Sequence, residues 1–270
     1  MRLTLGILFS TATLAAGSLS ARAADSGAEV QKLDKGEINW SQKTITATGS
    51  GTFSNASSNA AQARLGATKA AKMDAQRNLL EMLKGVNISA KTTLGSAMAS
   101  TDIKAKVEGV VRNFEVVDTK YFSDGGVDVT IRMSLDGSLA DAVVPPAITA
   151  AASDGGNPTT ASSGYTGLIL DARGTQVQPA LSPRLLDESG KELYSASNVG
   201  KDKLHDHGVA AYVKTLDAAK ADKRVGAKPL VVHAAKLAPG GKTDLIVAAK
   251  DAGQISGPFL AEGNVVIVTD

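Results

Sequence analysis

The sequence contains no cysteine, only 4% aromatic residues and, after its first residues, no long uninterrupted hydrophobic run. A chain without cysteine forms no disulfide and has no zinc–thiolate site, no thiol nucleophile and no cysteine to carry a lipid anchor. Charged residues interrupt every later apolar stretch, so we expect no membrane-spanning segment in the mature chain.

An excess of charge of one sign is also absent. The chain has 29 lysine and arginine residues against 27 acidic residues, and Arg2 and Arg22 lie in the first 23 residues, which leaves 27 of each sign in residues 24–270. Nucleic acids and anionic membranes attract basic surfaces. We therefore expect no nucleic-acid partner.

The first 23 residues have the features of a cleaved secretory signal peptide. A short basic start precedes an apolar and small-residue run from Leu3 to Gly17, and Ala21-Arg22-Ala23 matches the A-x-A cleavage pattern. The run is shorter than the ~20 residues that a spanning helix needs. We expect cleavage after Ala23 and export of the mature chain.

A segment poor in bulky apolar residues divides the chain into two halves. Residues 145–164 read PPAITAAASDGGNPTTASSG, a composition typical of a flexible linker. The predicted organisation is therefore a signal peptide at 1–23, one domain at 24–144, the linker, and a second domain at 165–270.

The pattern of both halves indicates an α+β fold, each with helices packed on a small, mainly antiparallel sheet. In the first half we predict a strand at 43–48 closed by Gly49-Ser50-Gly51, helices at 59–84 and 103–113, a short extended segment at 86–94, and a hairpin of 114–122 with 127–135. In the second half we predict a helix at 209–221, a hairpin around 188–190, and strands at 165–171, 230–234, 244–248 and 264–268.

The long helix carries a stripe of small and aliphatic residues at every fourth position, a spacing that places them on one helix face. These candidate interface residues are Ala63, Ala67, Ala71, Ala75, Leu79 and Leu83. The stripe packs either on the sheet of its own domain or, in addition, on a neighbouring subunit.

No group of residues reaches the pattern of a catalytic, metal or cofactor site. His205-Asp206-His207 offers two of the three or four ligands that a metal needs, and we expect it to lie in a polar loop. Asp171 and Arg173 follow a predicted strand, so they form either a ligand-binding loop or an ion pair that holds a turn, and the pair is the preferred interpretation. We predict no enzyme activity and no cofactor.

Residues 70–86, AAKMDAQRNLLEMLKGV, resemble the helix-to-strand signature of the bacterial lipoprotein-20 family, which includes the flagellar outer-membrane ring protein FlgP. The second half, with YTGLILDARG at 165–174 and PALSPR at 179–184, is similar to a domain found with it in envelope proteins. The resemblance implies a non-enzymatic envelope protein whose partners are further copies of itself or other envelope or flagellar proteins.

The sequence departs from many members of that family because it has no lipobox cysteine. We therefore expect the periplasm, with a peripheral association with the outer membrane left open. The alternative function is a periplasmic binding or accessory protein for a small ligand or cell-wall component, with the Asp171–Gly174 loop as its contact.

Overall fold

The computed structural model describes residues 27–53, 59–151 and 164–270. The predicted signal peptide lies outside these residues, and so does the part of the predicted linker at 152–163. The chain forms two α+β domains, as predicted.

The first domain consists of a five-stranded sheet with helices packed on one of its faces. Its strands are β1 (Val30–Leu33), β2 (Gly36–Asn39), β3 (Thr44–Gly51), β4 (Asn87–Ser89), β5 (Thr92–Thr93), β6 (Glu115–Tyr121) and β7 (Val127–Ser134). Its helices are α1 (Ala60–Lys84), α2 (Leu94–Ala97), α3 (Thr101–Val111) and α4 (Ser138–Ala151). The sheet has the order β1-β2-β3-β7-β6 and is antiparallel throughout, while β4 and β5 pair separately.

The long helix and the hairpin were predicted close to their observed bounds. Asn59 caps α1, since its side-chain oxygen accepts a hydrogen bond from the amide of Ala61, and β6 and β7 pair around the Ser123–Gly126 turn. Helix α4 was not predicted, and it continues to Ala151, well into the segment that was expected to be a linker.

Helix α1 crosses β3 in backbone contact, and this contact explains why β3 extends beyond its predicted end. A Cβ atom on Gly49 would lie 1.9 Å from the amide nitrogen of Ala75, and one on Gly51 would lie 2.2 Å from the carbonyl oxygen of Ala67. The two glycines therefore do not end the strand. They are strand residues that leave room for the alanine face of the helix.

The second domain is built around a seven-stranded sheet. Its strands are β8 (Gly167–Asp171), β9 (Leu185–Leu186), β10 (Glu192–Tyr194), β11 (Ala211–Val213), β12 (Pro229–Leu237), β13 (Leu245–Val247) and β14 (Val265–Val268). Its α-helices are α5 (Lys201–His207), α6 (Leu216–Ala221), α7 (Ala249–Ala252) and α8 (Pro258–Ala261), and short 3-10 helices lie at Ala196–Asn198 and Lys223–Val225.

The pairing of this second sheet differs from the prediction of a mainly antiparallel sheet. The order is β10-β9-β13-β12-β8-β14-β11, in which β8 pairs in parallel with β12 and β14, as do β11 with β14 and β9 with β13. Only β9–β10 and β12–β13 are antiparallel. Strands β8 and β14 are buried along their whole length, which is the pattern of parallel strands covered on both faces.

The helix predicted at 209–221 is wrong in its first half. Residues Ala211–Val213 form strand β11 at the edge of the sheet, and only Leu216–Ala221 is helical. The side chain of Thr215 caps this helix by accepting a hydrogen bond from the amide of Ala218, so the turn between strand and helix is set locally.

The two domains share one continuous hydrophobic core. Trp40 of the first domain is buried against Tyr212 of the second, with ring centroids 5.8 Å apart in an edge-to-face arrangement. The hydroxyl of Ser41 donates to the carbonyl oxygen of Tyr212 at 2.5 Å, and Ala28 forms a β-bridge with Val213. The domains are therefore packed together rather than connected only through the linker.

Candidate functional site

The small-residue stripe of α1 is used within its own domain. Of the predicted interface residues, Ala67, Ala71, Ala75, Leu79 and Leu83 are buried, and Ala63 is half-buried near the start of the helix. The five buried side chains pack on β3 and β7, so they offer no surface to a neighbouring subunit. This part of the interface prediction is wrong, because the close approach that small side chains permit is made with the sheet.

The first domain exposes a different surface to solvent, the edge strand β6. Strand β6 is the last strand of its sheet and is exposed along nearly its whole length, since α1 covers β3 and β7 more than β6. Val116 and Val117 are each 39% exposed, Tyr121 is 54% exposed, and Phe122 continues the apolar surface. Among the described residues, β6 pairs with β7 alone, so its outer backbone groups have no strand partner.

The Asp171–Gly174 loop holds itself together. The guanidinium of Arg173 binds the carboxylate of Asp171 with two hydrogen bonds of 2.8 and 2.7 Å and holds the pKa of Asp171 below its usual range. The Nδ1 atom of His233 lies 3.3 Å from the same carboxylate, and Asp270 accepts hydrogen bonds from the amides of Gly174 and Gln176. The arrangement matches the preferred interpretation, an ion pair that stabilises a turn.

The His205-Asp206-His207 segment lies in the last turn of α5, not in a loop. Positions two apart on a helix point in different directions, so the two imidazoles do not face a common ion. Instead the Nδ1 atom of His205 lies 2.6 Å from Asp141 at the start of α4, which raises the pKa of His205. In the described part of the chain, no group of three potential ligands is placed to hold a metal ion.

A polar cleft lies where the two domains meet. It has a volume of ≈ 520 Å³ and is lined from the first domain by Gln42, Lys43 and Asp136 and from the second domain by residues that include Lys223 and Arg224. Its size is within the range of ~300–1,000 Å³ of small-molecule sites.

Lys43 is the most unusual residue of the cleft. Its backbone adopts φ = +50°, a left-handed conformation that is uncommon for residues other than glycine. The Nζ atom lies 3.2 Å from Asp136 and also donates to the carbonyl oxygen of His207. Burial and the nearby charge of Arg224 lower the pKa of Lys43 to about 8.

Arg224 reaches the same point from the other domain. Arg224 is half-buried, and its guanidinium donates to the carbonyl oxygens of His207 at 2.6 Å and Gly263 at 3.4 Å. Within the described residues no carboxylate oxygen lies within 4.0 Å of it, and burial lowers its pKa. The end of α5 attracts both cations, because the last carbonyl groups of a helix lack partners and carry partial negative charge.

The cleft has no recognisable signature in the sequence. Lys43 and Asp136 are 93 positions apart, and neither belongs to a recognisable motif. The one indication of the cleft in the sequence was Gly208, which directly follows His207. It adopts φ = +63°, and a Cβ atom there would lie 2.6 Å from the Nζ atom of Lys43.

The fold defines the chain as a protein of two tightly packed α+β domains with a free strand edge and an interdomain cleft. Residues 167–270, the second domain, match the family model described as the second domain of Treponema pallidum Tp0624. No curated protein matches the chain. In the described part of the chain, no helix combines the length and the apolar character needed to cross a membrane.

Proposed function

We propose that this chain is an exported, non-enzymatic protein of the bacterial cell envelope that acts by assembling with further copies of itself through strand β6. The observation that carries the proposal is the exposure of this edge strand, with Val116, Val117, Tyr121 and Phe122 at its surface. Exposed apolar edge strands add readily to strands of another chain.

The charge pattern of β6 favours a second copy of the chain as the partner. Glu115 and Lys120 lie near the two ends of the strand and on the same face, since they pair with Arg132 and Asp128 of β7. In the antiparallel register that is centred between residues 117 and 118, Glu115 of each copy would lie opposite Lys120 of the other, and both charges, which in the single chain contact Arg132 and Asp118, would gain a second partner. Opposite charges in directly opposed positions stabilise such pairs.

The envelope location and the absence of enzyme activity rest on the sequence. The signal-peptide pattern supports export, and the resemblance of residues 70–86 to the lipoprotein-20 family supports a structural role. Association with a flagellar motor is the finer form of this proposal. Fractionation of cells and the amino-terminal sequence of the purified protein test the location, with cleavage after Ala23 and recovery from the periplasm as the expected result.

Light scattering coupled to size exclusion tests the assembly. We expect residues 24–270 to form a defined oligomer whose population rises with concentration, and Val117→Lys to shift it towards the monomer. The matched control is Val231→Lys on the second domain, because Val231 has nearly the same exposure, 41%. A strict monomer at all concentrations, or equal effects of the two substitutions, would contradict assembly through β6.

The alternative function, a binding protein for a small periplasmic ligand, gains no support from the Asp171–Gly174 loop, whose charged groups bind one another. The interdomain cleft supports it better, because charged side chains of both domains converge there.

A further inference from the structure

We propose that the interdomain cleft binds the oxyanion group, carboxylate or phosphate, of a small molecule between Lys43 and Arg224. This site is independent of strand β6, so it stands or falls apart from the assembly proposed above. Both cations line the cleft, and each comes from a different domain.

The inference depends on the positions of Lys43 and Arg224. The Nζ atom of Lys43 and a terminal nitrogen of Arg224 both donate to the carbonyl oxygen of His207. Two donors to one oxygen lie within about 6 Å of each other, which is two hydrogen-bond lengths. Two positive charges at this separation repel, and an anion that bridges them removes the repulsion.

Donors remain for such an anion. Lys43 has three N–H groups, and the structure accounts for two of them through Asp136 and His207. Arg224 has five, and two are used by the carbonyl oxygens of His207 and Gly263. In the described part of the chain no carboxylate oxygen lies in direct contact with the Arg224 guanidinium, although the charges of Asp222 and Asp136 act on it from a greater distance, so its remaining N–H groups can bind a ligand.

Carboxylates also line the cleft, and two of them, Asp136 and Asp222, already accept a hydrogen bond from the chain. Asp136 binds Lys43, and Asp222 accepts a hydrogen bond at 2.9 Å from the backbone amide of Arg224. Asp206 lies on the exposed side of α5. The cleft therefore does not attract anions by its total charge. It selects them at one point, where the buried Lys43 and the half-buried Arg224 meet.

The left-handed backbone of Lys43 supports the same interpretation. Strained conformations of this kind persist where the surrounding structure imposes them, and they cluster at functional sites. Here the conformation directs Lys43 into the domain junction, and Gly208 leaves the space that its ammonium group occupies. A lysine exposed to solvent would need neither the left-handed backbone nor the space that Gly208 leaves.

Calorimetric titration of residues 24–270 with inorganic phosphate, acetate and chloride at pH 7 and equal ionic strength tests the proposal. We expect saturable binding of phosphate or acetate but not of chloride. Tighter binding of phosphate would indicate a phosphorylated ligand, and tighter binding of acetate would indicate a carboxylate. Arg224→Gln should weaken binding about tenfold or more, because a hydrogen bond to a charged group is lost. Lys220→Gln, which removes an exposed charge on the same domain outside the cleft, should leave binding unchanged.

Amide chemical shifts of the unsubstituted protein provide a second measurement that does not depend on how the variant folds. Phosphate or acetate should shift the amides of 206–208 and 222–224 and leave those of β6 unchanged. No saturable binding of either anion beyond chloride, or shifts that are centred elsewhere, would overturn the proposal.

Discussion

Lys43 and Arg224, which belong to different domains, donate hydrogen bonds to the same oxygen atom, the backbone carbonyl of His207. The end of helix α5 is thus held by the first domain through Lys43 and by its own domain through Arg224. A change at any of the three residues is felt by both domains.

Stability should rise with pH between about 8 and 9.5. In the unfolded chain Lys43 keeps its proton up to a pKa near 10.5, whereas in the folded protein its pKa is about 8. Between these values the unfolded state binds more protons, so the free energy of unfolding increases with pH, by about 3 kcal/mol over the full interval. The charged groups that face Lys43 are Asp136, Arg224 and Asp222, and His207 lies beside them.

Urea unfolding at pH 7.5, 8.5 and 9.5 measures this slope. Lys43→Met should remove it, and Lys220→Gln should not. Above pH 10 the slope should reverse, because burial raises the pKa of Tyr194 and Tyr212, and the unfolded chain then loses protons that the folded chain keeps. An equal slope in the wild type and in the Lys43→Met variant would show that Lys43 is not the titrating group.

Gly49→Ala should destabilise the first domain by about 3 kcal/mol, because the new methyl group meets the backbone of α1 and not a flexible side chain. Gly66→Ala provides the matched control. Nothing lies within 4 Å of a Cβ atom at Gly66, which is inside α1, so this substitution should stabilise by roughly 0.5–1 kcal/mol. Denaturant midpoints measure the change in stability for each variant. A change in the same direction for Gly49→Ala and Gly66→Ala would contradict the close contact of α1 and β3.

Gly208→Ala should weaken the domain junction. The residue has φ = +63°, and its Cβ atom would lie 2.6 Å from the Nζ atom of Lys43 and 2.7 Å from Asp136. We expect a loss of about 1–3 kcal/mol and a changed pH slope between 8 and 9.5. Gly253→Ala, at a residue with open space around it and a negative φ, should have little effect on either measurement.

The two domains should unfold in one transition. The chain contains a single tryptophan, Trp40, and it is buried against Tyr212 across the junction. Its fluorescence therefore reports docking of the domains, while far-ultraviolet circular dichroism reports both sheets. The two signals should have the same denaturant midpoint. A fluorescence change that precedes the loss of secondary structure would show that the domains separate before they unfold.

The sequence was informative where one periodicity dominated. Helix α1 was predicted because a four-residue repeat runs from Ala63 to Leu83, and the β6–β7 hairpin was predicted because a glycine pair separates two alternating segments. Strand β11 was missed because a short apolar segment before a helix has no period of its own. Parallel pairing was missed because uninterrupted runs such as Val265–Val268 were not recognised as strands buried on both faces.

The candidate sites were less predictable than the fold, for a physical reason. The stripe on α1 shows that a surface of the helix is apolar, but the sequence does not say what covers it, and Gly49 and Gly51 supply the answer only in three dimensions. The cleft depends on Lys43, Asp136 and Arg224, which meet only when two domains dock. No local sequence pattern predicts a contact of this kind.

The first described residues of the chain do not belong to the domain in which the sequence places them. Ala28 pairs with Val213, and the amide of Lys214 donates to the carbonyl oxygen of Gly27 at 2.9 Å, so this segment covers the outer edge of β11. A fragment that starts at residue 165 would therefore expose a bare strand edge and tend to aggregate. Conversely, a chain cut within 152–163 should remain one particle, as two complementary pieces held together without a covalent bond.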